Sequence, residues 1–233
     1  MTDIQHIYFD LDHTLWDFDA NSLETLGELY ALFDLYERSN GLDESFFTSR
    51  YLHHNERMWA MYRENRISKS RLRSSRFESA LRDMRIEDKN LAKKLGNAYI
   101  EICPKKQKLK PGVHEILELL SERYDMSILS NGFQESQLTK LSVTKLDRFF
   151  VEVITSERAS AKKPNPRIFQ FANTLTKVDK AHSLMIGDNL EIDVRGAESY
   201  GWKAIHFDES ADQNSAGTIN NLMHLKQLLI KGG

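Results

Sequence analysis

The sequence predicts an α/β protein with one parallel sheet and an inserted all-α domain. Five short apolar runs, at residues 7–9, 126–129, 149–154, 184–186 and 204–207, have the length of buried strands. Helical patterns separate the last four runs, and strands that alternate with helices form parallel sheets. We therefore expect the first strand to join the other four in one sheet, with a helical domain between them.

The inserted domain is predicted at residues 16–107. Before position 103 the chain contains no proline and only three glycines, and apolar residues recur at helical spacing in four runs. The runs are Leu23, Leu26, Tyr30 and Phe33; Phe47, Tyr51, Met58 and Tyr62; Phe77, Leu81 and Met84; and Leu91, Leu95, Ala98 and Ile102. Asn21 and Asp43 are suited to cap the first two helices, because their side chains accept hydrogen bonds from free backbone N–H groups.

Residues 1–15 and 108–233 form the predicted Rossmann-like core, with helices on both faces of the sheet. The return from the inserted domain contains Pro111-Gly112, which interrupts helical structure and suits a hinge. Polar residues at 208–218 predict a loop after the last strand. Leucines at helical spacing beyond it predict a final amphipathic helix.

The composition excludes several classes of protein. Of the 233 residues 40% are hydrophobic, which is enough for a core. The formal net charge is −2, so general affinity for a nucleic acid polymer is not expected. No apolar stretch approaches the roughly 18 residues that span a membrane, the chain opens without the pattern of a signal peptide, and the single cysteine cannot form an intramolecular disulfide. We therefore expect a cytoplasmic protein with no membrane or nucleic acid partner; the oligomeric state is left open.

Polar residues follow three of the predicted strands. Asp10 and Asp12 come after the first, Ser130-Asn131-Gly132 after the second, and Asp188 and Asp193 after the fourth. Ligands bind beyond the carboxyl ends of parallel strands, so four carboxylates should gather at one edge of the sheet. Such a group repels itself without a cation, and an all-oxygen set suits Mg²⁺ better than zinc. With Ser130 and a nearby lysine, either Lys162 or Lys163, the site could hold a phosphate against the metal.

Four ordered motifs occupy these positions. They are Asp10-Leu11-Asp12-His13-Thr14, Ser130, Lys163-Pro164 and Gly187-Asp188-Asn189-Leu190-Glu191-Ile192-Asp193. Their order resembles that of the haloacid dehalogenase superfamily, and the resemblance spans about residues 7–207. The helical insertion after the first motif is similar to the cap domain of that family.

The resemblance implies a phosphatase that uses a covalent intermediate. Asp10 would attack phosphorus and form an aspartyl-phosphate. Asp12 would protonate the leaving alcohol and then activate water. Lys163 would balance the charge of Asp10 and of the transferring phosphoryl group.

The resemblance also implies how metal and substrate are held. Mg²⁺ would be bound by Asp10, Asp188 and the backbone carbonyl of Asp12. Asp193 would position Lys163 or a metal-bound water. The implied substrate-binding residues are Thr14, Ser130, Asn131 and Gly132.

Secondary signatures narrow the expected substrate. Residues 14–19, Arg76-Phe77-Glu78 and residues 130–133 resemble the pyrimidine and house-cleaning 5′-nucleotidases of the superfamily. They imply a small phosphorylated metabolite, above all a nucleoside 5′-monophosphate. His13 stands where many members carry a small or acidic residue and could alter substrate choice. Trp16 and Phe18 are candidates for stacking on a base.

Other functions stay open at this point. A sugar-phosphate phosphatase or a phosphomutase would use the same residues. A 2-haloacid dehalogenase attacks carbon and lacks an acid at the position of Asp12, so this residue argues against it. A non-enzymatic phospho-acceptor module lacks both that acid and a large helical insertion.

Overall fold

The computed structural model describes residues 3–212 and 217–230, and the chain divides into two compact units. One comprises Met1–Phe18 and Gln107–Gly233, and the other comprises Asp19–Lys106. The first boundary lies three residues later than the sequence predicts. The reason is backbone pairing within the first unit, where Asp17 N–H donates to Lys108 O (3.1 Å) and Lys110 N–H donates to Leu15 O (2.9 Å).

Five helices build the inserted unit. They are α1 (Phe18–Leu32), α2 (Leu35–Arg38), α3 (Glu44–Arg63), α4 (Lys69–Asp83) and α5 (Lys89–Ile102). The four predicted helices are confirmed, and the short α2 was not predicted. Asp43 caps α3 as predicted, by accepting from Phe46 N–H. The predicted cap at Asn21 is wrong, because the chain enters α1 directly from the paired segment before it and Asn21 lies buried inside the helix.

Aromatic rings form the core of this unit. The rings of Tyr51, Phe77 and Tyr99 lie within 5.7 Å of one another, centroid to centroid. The Arg76 guanidinium sits 4.7 Å from the Tyr99 centroid and donates to Asn55 Oδ1 at 2.8 Å. Arg76 is therefore a buried part of the core, and cation–π contact offsets some of the cost of burying its charge.

Within the described residues of the other unit, six parallel strands form one sheet. They are β1 (His6–Phe9), β2 (Asp125–Ser130), β3 (Glu152–Thr155), β4 (Ser183–Gly187), β5 (Lys203–Phe207) and β6 (Thr218–Ile219). The first five confirm the predicted strands and their common sheet. The sixth was not predicted, because a strand of two residues leaves no apolar run in the sequence. Its first residue, Thr218, was assigned to the loop at residues 208–218, of which 213–216 lie outside the described residues.

The strand order is β3-β2-β1-β4-β5-β6, with β1 between β2 and β4. Ile7 pairs with Met126 on one side and with Leu184 on the other. The chain thus fills one half of the sheet from β1 to β3 and the other half from β4 to β6. The crevice beyond the carboxyl ends of β1 and β4 is the switch point at which such sheets bind ligands.

Helices connect these strands. They are α6 (Val113–Ser121), α7 (Gln134–Val143), α8 (Ser156–Ala159), α9 (Pro166–Thr176) and α10 (Arg195–Tyr200). Shorter helical turns cover Cys103–Lys105, Asp147–Phe149, Lys180–His182, Leu190–Val194 and Lys226–Ile230. Tyr8 of β1 packs with Phe169 and Trp202 in one core cluster, whereas Ile7 and Phe9 point to the opposite face and are equally buried. Both faces of the sheet are therefore covered, as predicted.

No helix in the described ranges is long and apolar enough to span a membrane.

Candidate active site

Asp10 and Lys163 form the buried centre of the site. Asp10 directly follows β1, and Lys163 precedes α9 by three positions. The Lys163 ammonium contacts Asp10 Oδ1 and Asp193 Oδ1 at 2.7 Å each, and it donates to Leu129 O at 2.5 Å. Only 2% of Lys163 is exposed, and a buried cation needs such partners. Of the two adjacent lysines, Lys163 is the one that makes these contacts.

Three carboxylates gather around this lysine. Oxygens of Asp10, Asp188 and Asp193 all lie within 4.8 Å of one another. Thr14 Oγ1 donates to Asp188 Oδ1 at 3.0 Å, which fixes that carboxylate beside β1. Asp193 fills the space beside Gly187, where a Cβ would lie 2.4 Å from Asp193 Oδ2.

The charges of this cluster favour a cation. Burial raises the pKa of Asp10; Lys163 opposes the rise, and Asp193 and Asp188 add to it. Burial and then Asp193 likewise raise the pKa of Asp188. Fully ionised, three carboxylates against one lysine leave two negative charges without compensation. A set of carboxylate oxygens with this excess charge fits a hard divalent cation such as Mg²⁺.

Asp12 differs from the expectation that four carboxylates gather. Its Oδ1 lies 2.5 Å from Lys140 Nζ, and its Oδ2 accepts from Gln137 Nε2 at 2.9 Å. Burial alone would raise the pKa of Asp12, but the Lys140 charge and the hydrogen bonds from Lys140 and Gln137 hold it below the usual value. The side chain thus turns toward α7, because α7 supplies Lys140 as a partner, whereas Lys163 is already shared by Asp10 and Asp193.

The loop after β2 organises other parts of the site. Ser130 Oγ accepts from Gly132 N–H at 3.0 Å and from Gln137 Nε2 at 2.7 Å. Asn131 clamps the backbone of Lys163, since its Oδ1 accepts from Lys163 N–H (2.8 Å) and its Nδ2 donates to Lys163 O (3.0 Å). A Cβ at Gly132 would lie 2.0 Å from Gln137 Nε2, so the close approach requires glycine. Substrate contacts by Thr14 and by residues 130–132 stay predictions.

Sequence reasoning missed Gln137 and Lys140. Both lie on α7, three residues apart, and therefore on one helix face. A glutamine and a lysine on a helix are most often solvent-exposed, so their residue types gave no warning. The one usable signal was position, because α7 begins directly after the loop that carries Ser130.

The structure also shows the surroundings of His13 and Trp16, which follow Asp12 in the chain. His13 adopts a left-handed φ of 63°, and its ring lies 4.7 Å from that of Phe18, centroid to centroid. Trp16 is fully buried, and the Lys140 ammonium lies 4.2 Å from its ring centroid. The expectation that Trp16 stacks on a base is therefore wrong in this arrangement, because the indole is already enclosed by its neighbours.

Comparison with known proteins gives four informative matches. The model of the haloacid dehalogenase-like hydrolase family matches residues 7–207. Pyrimidine 5′-nucleotidase YjjG of Escherichia coli (strain K12) is 29% identical over 231 residues, 97% of each chain. (S)-2-haloacid dehalogenase 4A of Burkholderia cepacia is 31% identical over 160 residues, 65% of this chain and 67% of that one. The magnesium-bound crystal structure of the HAD-hydrolase YfnB from Bacillus subtilis superimposes with a TM-score of 0.85 at 22% identity, covering 97% of this chain and 98% of that one.

Proposed function

Since the chain belongs to the haloacid dehalogenase-like hydrolase family, we propose that it is a Mg²⁺-dependent phosphatase of small phosphate monoesters, with nucleoside 5′-monophosphates as its preferred substrates. The observation that carries this proposal is the buried cluster of Asp10, Asp188 and Asp193 around Lys163. Its excess negative charge and its all-oxygen donors suit a divalent cation and, through that cation, a phosphate.

The first step of the proposed reaction forms a covalent intermediate on Asp10. A carboxylate oxygen of Asp10 attacks phosphorus, and the bond between phosphorus and the alcohol oxygen breaks. For this step Asp12 must carry a proton, which it gives to the departing oxygen, since an alkoxide is a poor leaving group. Mg²⁺ held by Asp10, Asp188 and the backbone carbonyl of Asp12 would offset the negative charge of the phosphate. Lys163 holds Asp10 in place throughout.

The second step releases phosphate. Asp12, now ionised, takes a proton from water as the water oxygen attacks phosphorus. The bond between phosphorus and the Asp10 oxygen breaks, which restores the carboxylate. Asp12 ends the cycle with the proton that it gave up in the first step, so the same carboxyl serves in both directions.

The two most similar functions differ in what Asp12 must do. A halide departs from carbon without a proton, so a dehalogenase has no use for an acid at this position. The nucleotidase relative matches 97% of each chain, whereas the dehalogenase relative matches 65% of this one. Both facts support a phosphatase over a dehalogenase. We also propose that the helical unit is the cap that selects the substrate, and that the protein is cytoplasmic; both stay predictions.

A substrate panel tests this proposal. The purified protein is offered nucleoside 5′-monophosphates, sugar phosphates, a phosphopeptide and a 2-haloacid, each with Mg²⁺ and with a chelator. We expect phosphate release that requires Mg²⁺ and is fastest with the nucleotides. Faster release from sugar phosphates would refute the substrate assignment, and halide release without metal would refute phosphatase function.

A further inference from the structure

Two residues of α7 hold the carboxylate of Asp12 from both sides. We propose that Lys140, together with Gln137, is a positioning residue that sets the Asp12 carboxylate for proton transfer. This inference rests on the proposed phosphatase function, because it concerns the acid and base of that reaction. Neither residue belongs to the four sequence motifs.

Each oxygen of the carboxylate has its own donor. Lys140 Nζ lies 2.5 Å from Asp12 Oδ1, and Gln137 Nε2 donates to Asp12 Oδ2 at 2.9 Å. One donor per oxygen restricts rotation of the carboxylate as well as its displacement. Proton transfer depends on such placement, since a donor slightly out of line with the leaving oxygen loses much of its effect.

The surroundings of Lys140 match it to Asp12. Lys140 is only 6% exposed, and its ammonium lies 4.2 Å from the Trp16 ring centroid and 6.0 Å from that of Phe18. An apolar side chain of similar length would fill the same space beside these rings without the free-energy cost of removing a charge from water. The buried charge is therefore suited to a carboxylate partner rather than to the packing around it.

Gln137 connects Asp12 to the loop after β2. Its Nε2 donates to Asp12 Oδ2 and also to Ser130 Oγ, at 2.7 Å. Gln137 is fully buried, and among the described residues its Oε1 has no hydrogen-bond partner. If the amide were turned by 180°, its Oε1 would lie against the Asp12 carboxylate, and two acceptors would face each other. Asp12 needs a donor at this position, so the amide keeps its Nε2 toward Asp12 although its Oε1 then has no hydrogen-bond partner among the described residues. One amide thus links the acid to the serine predicted to bind phosphate.

The test separates proton transfer from stability. The variants are Lys140→Met, Lys140→Arg and Gln137→Met, and the matched control is Lys110→Met. Lys110 is 9% exposed and pairs with Glu209 at 2.6 Å, so it is a similarly buried, ion-paired lysine that does not contact Asp12. Single-turnover rates are measured with an alkyl ester, a nucleoside monophosphate, and with an aryl ester, p-nitrophenyl phosphate.

We expect Lys140→Met to slow the alkyl ester by up to about 100-fold, because a carboxyl that is no longer held in line transfers its proton poorly, even though removal of the Lys140 charge favours its protonated form. The aryl ester should be slowed much less, because a phenolate departs with little help. Gln137→Met should act in the same direction, and Lys140→Arg should restore most of the rate. KM should change little. The Lys110→Met control should leave the ratio of the two rates unchanged.

The possible failures are distinguishable. If the unchanged protein releases no phosphate from any monoester, the proposed function fails and this inference fails with it. If the protein is a phosphatase but Lys140→Met slows both esters equally, or changes only KM or the melting temperature, the positioning role is refuted. If Lys140→Met does not fold, an unchanged rate ratio in folded Gln137→Met refutes it instead.

Discussion

Asp10→Asn should stabilise the metal-free protein while abolishing activity. The substitution keeps the shape of the side chain and removes a buried carboxyl that can ionise only against burial and the two neighbouring carboxylates. Lys163 does not lose its last partner, because Asp193 Oδ1 still lies 2.7 Å from its ammonium. The variant therefore relieves repulsion without leaving a buried cation unpaired.

The size of the effect follows from the charge state of Asp10. Burial raises its pKa to about 8, against the opposing effect of Lys163. At pH 7 Asp10 keeps its proton in the folded protein, whereas in the unfolded chain it has released it. This difference lowers the free energy of unfolding by up to about 4 kcal/mol, compared with a side chain that is neutral in both states. The amide oxygen still accepts a hydrogen bond from Lys163, so the variant takes back only about 1 kcal/mol. We expect a net gain of about 1–3 kcal/mol, or roughly 2–4 °C in melting temperature per kcal/mol.

In the presence of Mg²⁺ the unchanged protein should be more stable than Asp10→Asn. A ligand at 100 times its Kd stabilises the folded state by about 2.7 kcal/mol, and we expect this gain only where Asp10 can be ionised. The assay is thermal unfolding at pH 7 with a chelator and with Mg²⁺, for the unchanged protein, for Asp10→Asn and for Asp179→Asn. Asp179 is an exposed cap of a helical turn in the same unit, so its variant controls for loss of charge outside the cluster.

Two results would contradict this reasoning. One is a lower melting temperature for Asp10→Asn in chelator, which would mean that the cluster is not repulsive. The other is an equal Mg²⁺-induced rise in all three proteins, which would place the cation elsewhere.

Three further predictions concern single side chains. Asp12→Asn should slow hydrolysis of an alkyl phosphate about 100-fold or more and an aryl phosphate less, measured as single-turnover rates; equal losses would remove Asp12 from the acid role. Burial lowers the pKa of His6 to about 4, so the unfolded chain binds a proton that the folded protein does not. The free energy of unfolding should therefore be fully present above pH 6.5 and fall by on the order of 3 kcal/mol toward pH 4, and a urea titration of His6→Asn should show a flatter profile than the unchanged protein. Gly132→Ala should cost about 1–3 kcal/mol through overpacking against Gln137 and lower the rate as well; a variant with unchanged stability would show that Gln137 yields freely.

The strands and long helices could be predicted because their signals are local. Runs such as residues 184–186 and helical spacing such as that from Leu91 to Ile102 depend only on near neighbours in the chain. The two-residue β6 and the four-residue α2 are too short to produce a pattern. The start of α1 was misplaced because pairing with residues 108–110, far along the chain, decides it.

The candidate site likewise combines features that could be predicted from the sequence with features that could not. Asp10, Asp188 and Asp193 could be placed together because strand ends of a parallel sheet converge by topology alone. The choice of Lys163 over Lys162 came from the resemblance to the family's motifs. The direction of the Asp12 side chain could not be predicted, because it depends on a lysine 128 positions away whose burial no local pattern reveals. Asn131 could be placed near the site, but its clamp on the Lys163 backbone follows only from three-dimensional contact.

The central claim is that Asp10 carries the phosphoryl group. The most direct test is acid quenching during the first turnover of a nucleoside monophosphate labelled in its phosphate. One part of the quenched protein is counted for bound phosphate label, and the other part is reduced with tritiated borohydride and digested with trypsin. The unreduced protein should carry the phosphate label. Reduction should release that phosphate and convert Asp10 to homoserine, and because the first lysine or arginine of the chain is Arg38, the tritium should appear on the peptide of residues 1–38. Phosphate release without any labelled protein, or reduction at another aspartate, would contradict the account.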